Sequence, residues 1–178
     1  KLNGYEIILA SGSPRRKAFL EKLHIPFKVK VYPSDESYPS SLKGVEITEY
    51  IVAKKSEPLK EKIRAKQIII TADTLVCCDN QYLGKPKDVE HAKQMLMFLS
   101  GKSHQVITSV GFLTNKKFDI LSEITNVEFR KLTYDEIEYY IKIHSPVDKA
   151  GAYGIQDWIG EIGVKKINGS YTNVIGLP

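Results

Sequence analysis

Two adjacent arginines follow a serine and a proline near the start of the chain, and this spacing is typical of an anion site. Ser11-Gly-Ser-Pro-Arg-Arg16 follows the apolar residues 7–10, which predicts a strand, a tight turn and a helix. Ser13 is a favourable N-cap and Pro14 suits the first helical position. Unpaired N–H groups and the positive end of the helix dipole would then adjoin two guanidinium groups. We expect phosphate there; the alternative is a capped helix with two solvated arginines.

Two carboxylates have positions that suit metal binding or the activation of water. Asp73 follows the apolar residues 68–70 and is expected at the C-terminal end of a buried strand, where ligand sites of α/β sheets gather. The alternative is an aspartate that caps its own turn. Glu36 follows Asp35 in a loop, and this pair either holds a cation or is hydrated.

Three lysines are candidates for binding an anionic ligand. Lys85 stands between Gly84 and Pro86, in a loop whose backbone can approach a ligand closely. Lys54 and Lys55 lie on a helix predicted over residues 45–57, and at least one of them can point towards a cleft. Solvated side chains are the alternative at all three positions.

Residues 149–156 read Lys-Ala-Gly-Ala-Tyr-Gly-Ile-Gln. The two glycines predict tight turns or a close backbone approach. Tyr153 could stack on a base and Gln156 could read its edge. A closely packed structural loop is the alternative.

The periodicity of apolar residues predicts the elements that carry these side chains. Strands and helices alternate in the first half and hairpins dominate the second, which favours an α/β fold with a mixed, twisted sheet flanked by helices. The predicted strands are residues 5–10, 27–31, 68–76, 105–114, 118–130, 164–167 and 171–175, the last two joined by Asn168-Gly169. The predicted helices are residues 14–23, 45–57, 89–99 and 134–143.

Composition narrows the classes of function. The 178 residues carry a net charge of +5, which permits an anionic substrate, and no nucleic-acid signature is visible. No apolar run is long enough to span a membrane. Adjacent Cys77 and Cys78 cannot form a disulfide framework, so a cytoplasmic location is expected. We expect a single domain over residues 1–178 that is truncated at both ends, since the chain begins at Lys1 without a methionine and stops at Gly176-Leu-Pro178.

Several short motifs occur together in one order, and the chain therefore resembles the Maf family of nucleoside-triphosphate pyrophosphatases. The motifs are Ser11-Gly-Ser-Pro-Arg-Arg16, Ala72-Asp-Thr74, Gly84-Lys-Pro86, Ser100-Gly101, residues 148–156, and Gly169 through Gly176-Leu-Pro178. The resemblance implies two lobes around a central cleft. It also implies hydrolysis of a nucleoside triphosphate to the monophosphate and pyrophosphate with a divalent metal, Mg²⁺ or Mn²⁺.

The resemblance also implies roles for single residues. Asp73 would be the catalytic base and, with Glu36, a metal ligand. Substrate-binding residues would be Ser13, Arg15, Arg16, Lys55 and Lys85. Arg15, Thr74 and Gln156 are similar to the branch that acts on dTTP and UTP. The chain departs from the family at Asp157-Trp158, where a glycine is usual after the glutamine, and at Pro178, beyond which the family continues into another helix.

The cation-rich constellation has a predicted consequence for Asp73. Nearby arginines and lysines should lower the pKa of the carboxyl group. Such a weak base would need a metal-bound water, and this predicts a metal-dependent reaction. A non-catalytic nucleotide-binding regulator of cell division and a pyrophosphatase for non-standard or modified nucleotides stay open. So does a homodimer.

Overall fold

A computed structural model describes residues 4–178. The strands are β1 (Glu6–Leu9), β2 (Phe27–Val29), β3 (Gln67–Cys78), β4 (Gln81–Leu83), β5 (Ser103–Leu113), β6 (Phe118–Phe129) and β7 (Val164–Asn168). The α-helices are α1 (Pro14–Lys22), α2 (Val45–Ser56), α3 (Val89–Leu99), α4 (Tyr134–His144), α5 (Trp158–Gly163) and α6 (Tyr171–Ile175). None of the described helices is long and apolar enough to cross a membrane.

The strands form one seven-stranded sheet in the order β2-β1-β3-β5-β6-β7, with β4 paired to β3. β1 is parallel to both β2 and β3, with Ile8 opposite Lys28 on one side and Ile69 on the other. β4 runs antiparallel to β3, and β7 runs antiparallel to β6. The predicted α/β fold with a mixed sheet is therefore confirmed.

The chain divides into two compact units. The first contains the chain up to Asp73, residues 108–122 and Leu177; the second contains residues 74–107, 123–176 and Pro178. Strands β3, β5 and β6 each contribute residues to both units.

Each unit has its own apolar core. In the first unit the buried β1 and β3 side chains Leu9 and Ile70 pack with Leu20 of α1. The aliphatic run of β3 is buried because the strand lies between neighbours in the sheet and is covered by helices. In the second unit α3 and α4 pack through buried side chains that include Leu96 and Tyr140.

Two local predictions were wrong. Residues 171–175 form helix α6 and not the second strand of a hairpin. Ser170 caps α6 by accepting from the Asn173 amide at 3.2 Å, and the Asn173 side chain is buried and donates to the Val106 carbonyl at 3.0 Å. Tertiary hydrogen bonds thus outweigh the Asn168-Gly169 hairpin signal, and β7 pairs with β6 instead.

The second error concerns Asp73, which was expected at the C-terminal end of β3. The strand continues to Cys78 because its last residues pair antiparallel with β4 through the turn Asp79-Asn80. Asp73 therefore lies within the strand, three residues beyond Ile70, the last residue paired with β1.

Candidate active site

The N-terminus of α1 has the predicted capping geometry. Ser13 is the N-cap, Pro14 begins the helix, and the Ser13 hydroxyl accepts from the Arg16 amide at 3.5 Å. No acidic residue lies in the first turn. The positive end of this helix is therefore not neutralised by an acidic side chain of that turn.

Arg16 extends from this helix end to β3. Its Nη1 donates to the Ser11 hydroxyl and to the Ala72 carbonyl, both at 3.1 Å. Burial lowers the pKa of Arg16 to about 10, and the charge of Asp73 opposes this shift. Arg16 stays charged at neutral pH, and its position is fixed before any ligand binds. Arg15, which precedes Arg16 in the first turn of α1, is half-buried.

Lys55 of α2 forms the centre of the site in the first unit. Its Nζ lies 2.8 Å from Asp73 Oδ1 and 2.9 Å from Glu36 Oε1, and it donates to the Ala72 carbonyl at 3.3 Å. The side chains of Lys55 and Asp73 are only 12% and 11% exposed, whereas that of Glu36 is 45% exposed. The structure therefore places a largely buried ion pair next to a more accessible carboxylate.

The predicted direction of the Asp73 pKa shift was wrong. Burial raises the pKa of this carboxyl group, although Lys55 and Arg16 act to lower it. Burial outweighs the cations because the carboxylate loses most of its hydration within the strand. A raised pKa makes Asp73 a stronger base than a solvated aspartate.

Lys54, the other lysine of the pair, contacts different groups. Its Nζ lies 2.7 Å from Asp35 Oδ2 and donates to the Ser37 carbonyl at 3.1 Å. The Ser37 hydroxyl and amide both donate to the Asp35 carboxylate. Lys54 thus ties the 35–37 loop to α2, and the same loop presents Glu36 to Lys55.

Two carboxylates of the site, Glu36 and Asp73, could hold a divalent cation. An oxygen of each carboxylate lies within 2.9 Å of the Lys55 ammonium group. Both carboxylates therefore face the same positive charge. Within residues 4–178, no three His, Cys, Asp or Glu side chains are grouped to hold a metal. Mg²⁺ is often bound by one or two carboxylates together with substrate phosphates. The residues present fit a divalent cation in that manner.

The other candidate residues, Thr74, Lys85 and Gln156, belong to the second unit. Thr74 is half-buried, while Lys85 and Gln156 are exposed. The loop that carries Lys85 is joined to the segment that carries Gln156, since the Gly151 amide donates to the Gly84 carbonyl at 3.0 Å.

Tyr153 is not available to stack on a base, contrary to the prediction. It is 5% exposed, and its hydroxyl is 2.7 Å from His104 Nε2. Its ring packs edge-on against His104 and Phe129. Of the two side chains expected to contact a base, only Gln156 is exposed.

Sequence reasoning missed two kinds of partner. The Ala72 carbonyl, which accepts from both Arg16 and Lys55, is a backbone group and leaves no sequence signal. The contact between His104 and Tyr153 joins residues 49 positions apart, and no spacing rule predicts such a pair.

Comparison with known proteins places the chain in a family. The family model described as Maf-like protein matches residues 6–178. A protein from Flavobacterium johnsoniae named dTTP/UTP pyrophosphatase is 47% identical over 178 residues, which cover 100% of this chain and 92% of that protein. A protein of the same name from Christiangramia forsetii is 51% identical over 177 residues, covering 99% and 90% of the two chains. Among solved structures, the Ham1 protein of Staphylococcus aureus has a similar fold, with a TM-score of 0.51 and 16% identity over 88% of this chain and 90% of that one.

Proposed function

Because this chain belongs to the Maf family, we propose that it is a nucleoside-triphosphate pyrophosphatase that hydrolyses dTTP and UTP to the monophosphates. Full-length relatives at 47–51% identity with that name support the proposed substrates. The observation that carries the proposal is the buried Asp73–Lys55 ion pair, which adjoins Arg16 and the N-terminal turn of α1. This arrangement combines a base with groups that bind phosphate.

In the proposed reaction a water molecule attacks the α-phosphorus. The new bond joins the water oxygen to phosphorus, and the bond from phosphorus to the bridging oxygen of the β-phosphate breaks, so that pyrophosphate leaves with that electron pair. Asp73 accepts the proton from water. Lys55, whose Nζ lies 2.8 Å from Asp73 Oδ1, orients the carboxylate for this transfer.

The cations of the site stabilise the charge that develops on the phosphates. Arg16 and the amide groups at the start of α1 bind the pyrophosphate that leaves, and Ser13 contributes a hydroxyl at the same helix end. Lys85 adds a further positive charge from its exposed loop. At about 4 Å and an effective dielectric constant near 20, each such charge contact is worth about 4 kcal/mol before desolvation.

A divalent cation, Mg²⁺ or Mn²⁺, bound by Glu36, Asp73 and the phosphates would neutralise charge and acidify water. Glu36 is accessible enough to take a ligand from solvent. Lys55 also donates to the Ala72 carbonyl, a partner that a bound cation would leave in place. The Lys54–Asp35 pair joins the loop that carries Glu36 to α2.

Selection of the base is assigned to Gln156, Thr74 and Arg15. An amide can pair with the O4 and N3–H groups of uracil and thymine. Free Cys77 and Cys78 are compatible with a reducing compartment, and the cytoplasm is the proposed location.

A panel of nucleotides tests the proposal. Purified protein is incubated with dTTP, UTP, CTP and inosine triphosphate, with Mg²⁺, Mn²⁺ or a chelator, and pyrophosphate and phosphate are measured separately. We expect pyrophosphate from dTTP and UTP only when metal is present. Binding of dTTP without turnover would favour the nucleotide-binding regulator, and faster release from inosine triphosphate would favour the enzyme for non-standard nucleotides.

A further inference from the structure

Gln156 is the exposed end of a buried segment. Residues 151–155 are all buried, Gln156 is exposed, and Asp157 and Trp158 are half-buried. The Gln156 side chain is therefore exposed to solvent, although the five residues before it are buried.

A single hydroxyl group joins the backbone before Gln156 to the side chain after it. Tyr140 of α4 is fully buried, and its hydroxyl accepts from the Gly154 amide at 3.0 Å and donates to Asp157 Oδ2 at 2.7 Å. Burial and the Asp157 carboxylate raise the pKa of Tyr140 well above its ordinary value. The hydroxyl thus keeps its proton and makes both bonds at neutral pH.

Two further contacts hold the segment, in addition to the hydrogen bonds of the Tyr140 hydroxyl. His104 holds the Tyr153 hydroxyl from the N-terminal side. On the C-terminal side Gly160 of α5 packs so closely on the segment that a Cβ atom there would lie 1.9 Å from the Ile155 carbonyl oxygen. The backbone of residues 153–157 is therefore held at three positions.

A side-chain amide held in one orientation can distinguish uracil from cytosine, whereas a freely rotating amide cannot. Glutamine carries a donor and an acceptor, so a freely turning amide can match either pyrimidine pattern. Uracil and thymine present an acceptor at O4, whereas cytosine presents an amino donor at the equivalent position. Selectivity requires that one orientation of the amide be favoured over the other.

We propose that Tyr140 and Asp157 are positioning residues that hold the Gln156 segment in the orientation that favours a 4-oxo pyrimidine over cytosine. The inference rests on the proposed function, because Gln156 is the residue assigned to the base. The Asp73–Lys55 pair belongs to the first unit, whereas Tyr140 and Asp157 belong to the second. Their loss should therefore alter base selection and leave the hydrolytic step intact.

The test compares Tyr140→Phe with Tyr139→Phe. Tyr139 is the neighbouring residue on the same helix and is 51% exposed, so it is a matched control. Tyr140→Phe leaves the buried Gly154 amide without its acceptor, and we expect the preference for UTP over CTP to fall about tenfold. The change should appear in KM, with kcat for UTP within about twofold of wild type. Tyr139→Phe should keep the wild-type preference.

Binding is measured alongside turnover through Trp158, the single tryptophan of the sequence, which follows Asp157. Its fluorescence is titrated with UTP and CTP in chelator. Binding of UTP without pyrophosphate release would overturn the proposed function, and the ratio of the two Kd values would still decide this inference. An unchanged UTP to CTP ratio in Tyr140→Phe would overturn the inference.

A second pair of variants decides the outcome if Tyr140→Phe does not fold. Asp157→Asn keeps an oxygen that accepts from the Tyr140 hydroxyl, whereas Asp157→Ala removes it. The preference for UTP should persist in Asp157→Asn and fall in Asp157→Ala. Equal preferences in these two variants would contradict the positioning role.

Discussion

Two consecutive lysines of α2 have different surroundings. Lys55 belongs to the candidate active site, whereas Lys54 anchors the 35–37 loop. Lys55 is 12% exposed and contacts Asp73, while Lys54 is 32% exposed and contacts Asp35, itself 66% exposed. Removing one member of a buried ion pair leaves the other charge buried without a counter-charge, which is strongly destabilising. Removing one member of an exposed ion pair costs little, because solvent screens the remaining charge.

Replacing each lysine by methionine tests this difference. Lys55→Met leaves the Asp73 carboxylate without its closest cation, and we expect the free energy of unfolding to fall by about 3 kcal/mol at pH 7. Lys54→Met should cost less than about 1 kcal/mol. Urea unfolding of both variants measures the difference. Equal losses would contradict the assignment of the buried pair.

His104 predicts a pH dependence of stability. Burial lowers its pKa from 6.5 to about 4, so the unfolded chain binds a proton at a higher pH than the folded protein does. This contribution to stability is complete above about pH 6.5 and is lost as the pH falls towards 4. Between pH 7 and pH 5 the loss from this group is about 2 kcal/mol.

The variant His104→Asn isolates this contribution. It removes the titrating ring, so its unfolding free energy should depend less on pH between 7 and 5, by about the same 2 kcal/mol. Urea unfolding at several pH values gives both slopes. A variant with the wild-type slope would show that His104 does not cause the dependence.

At the scale of elements, the short helix α5 constrains the segment that carries Gln156. A Cβ atom on Gly160 would lie 1.9 Å from the Ile155 carbonyl oxygen, whereas one on Gly163 would lie 3.0 Å from Leu132 Cδ2, the mobile end of a side chain. The Ile155 carbonyl cannot move without moving the backbone, whereas the Leu132 methyl group can shift by a change of its side-chain torsion. Gly160 is therefore required by packing of α5 on the preceding turn.

Gly160→Ala and Gly163→Ala form a matched pair on one helix. We expect Gly160→Ala to lower the free energy of unfolding by about 3 kcal/mol, since it forces the backbone apart. Gly163→Ala should change it by less than about 1 kcal/mol, because a side chain can adjust and alanine favours the helix. Thermal melting of both variants measures this, and equal melting temperatures would contradict the account.

The elements also show where sequence patterns were sufficient. The predicted helices over residues 89–99 and 134–143 both form, and local caps begin them: Asp88 at α3 and a capping box of Thr133 and Glu136 at α4. Helix α6 was not predicted, although Ser170 is a local N-cap, because Asn168-Gly169 favoured a hairpin. Its position depends on Asn173, whose hydrogen bonds reach Val106 and Thr125, residues 67 and 48 positions away.

At the scale of the whole molecule, the mixed α/β sheet was predictable because the periodicity of apolar residues records strands and helices. The residues alone left Lys54 and Lys55 open, and the family resemblance favoured Lys55, the lysine that contacts Asp73. The direction of the Asp73 pKa shift was not predictable. It depends on the burial of β3 against the charges of Lys55 and Arg16, and charge alone suggested the opposite direction.

The rate of pyrophosphate release from dTTP by wild type and Asp73→Asn, measured side by side with Mg²⁺, tests the proposed reaction most directly. Asparagine keeps the shape of the side chain and an oxygen for Lys55 but is a much weaker base. We predict that wild type forms dTMP and pyrophosphate in equal amounts and that Asp73→Asn lowers kcat at least about 100-fold with an unchanged circular dichroism spectrum. Turnover near the wild-type rate in the folded variant would contradict the role of Asp73.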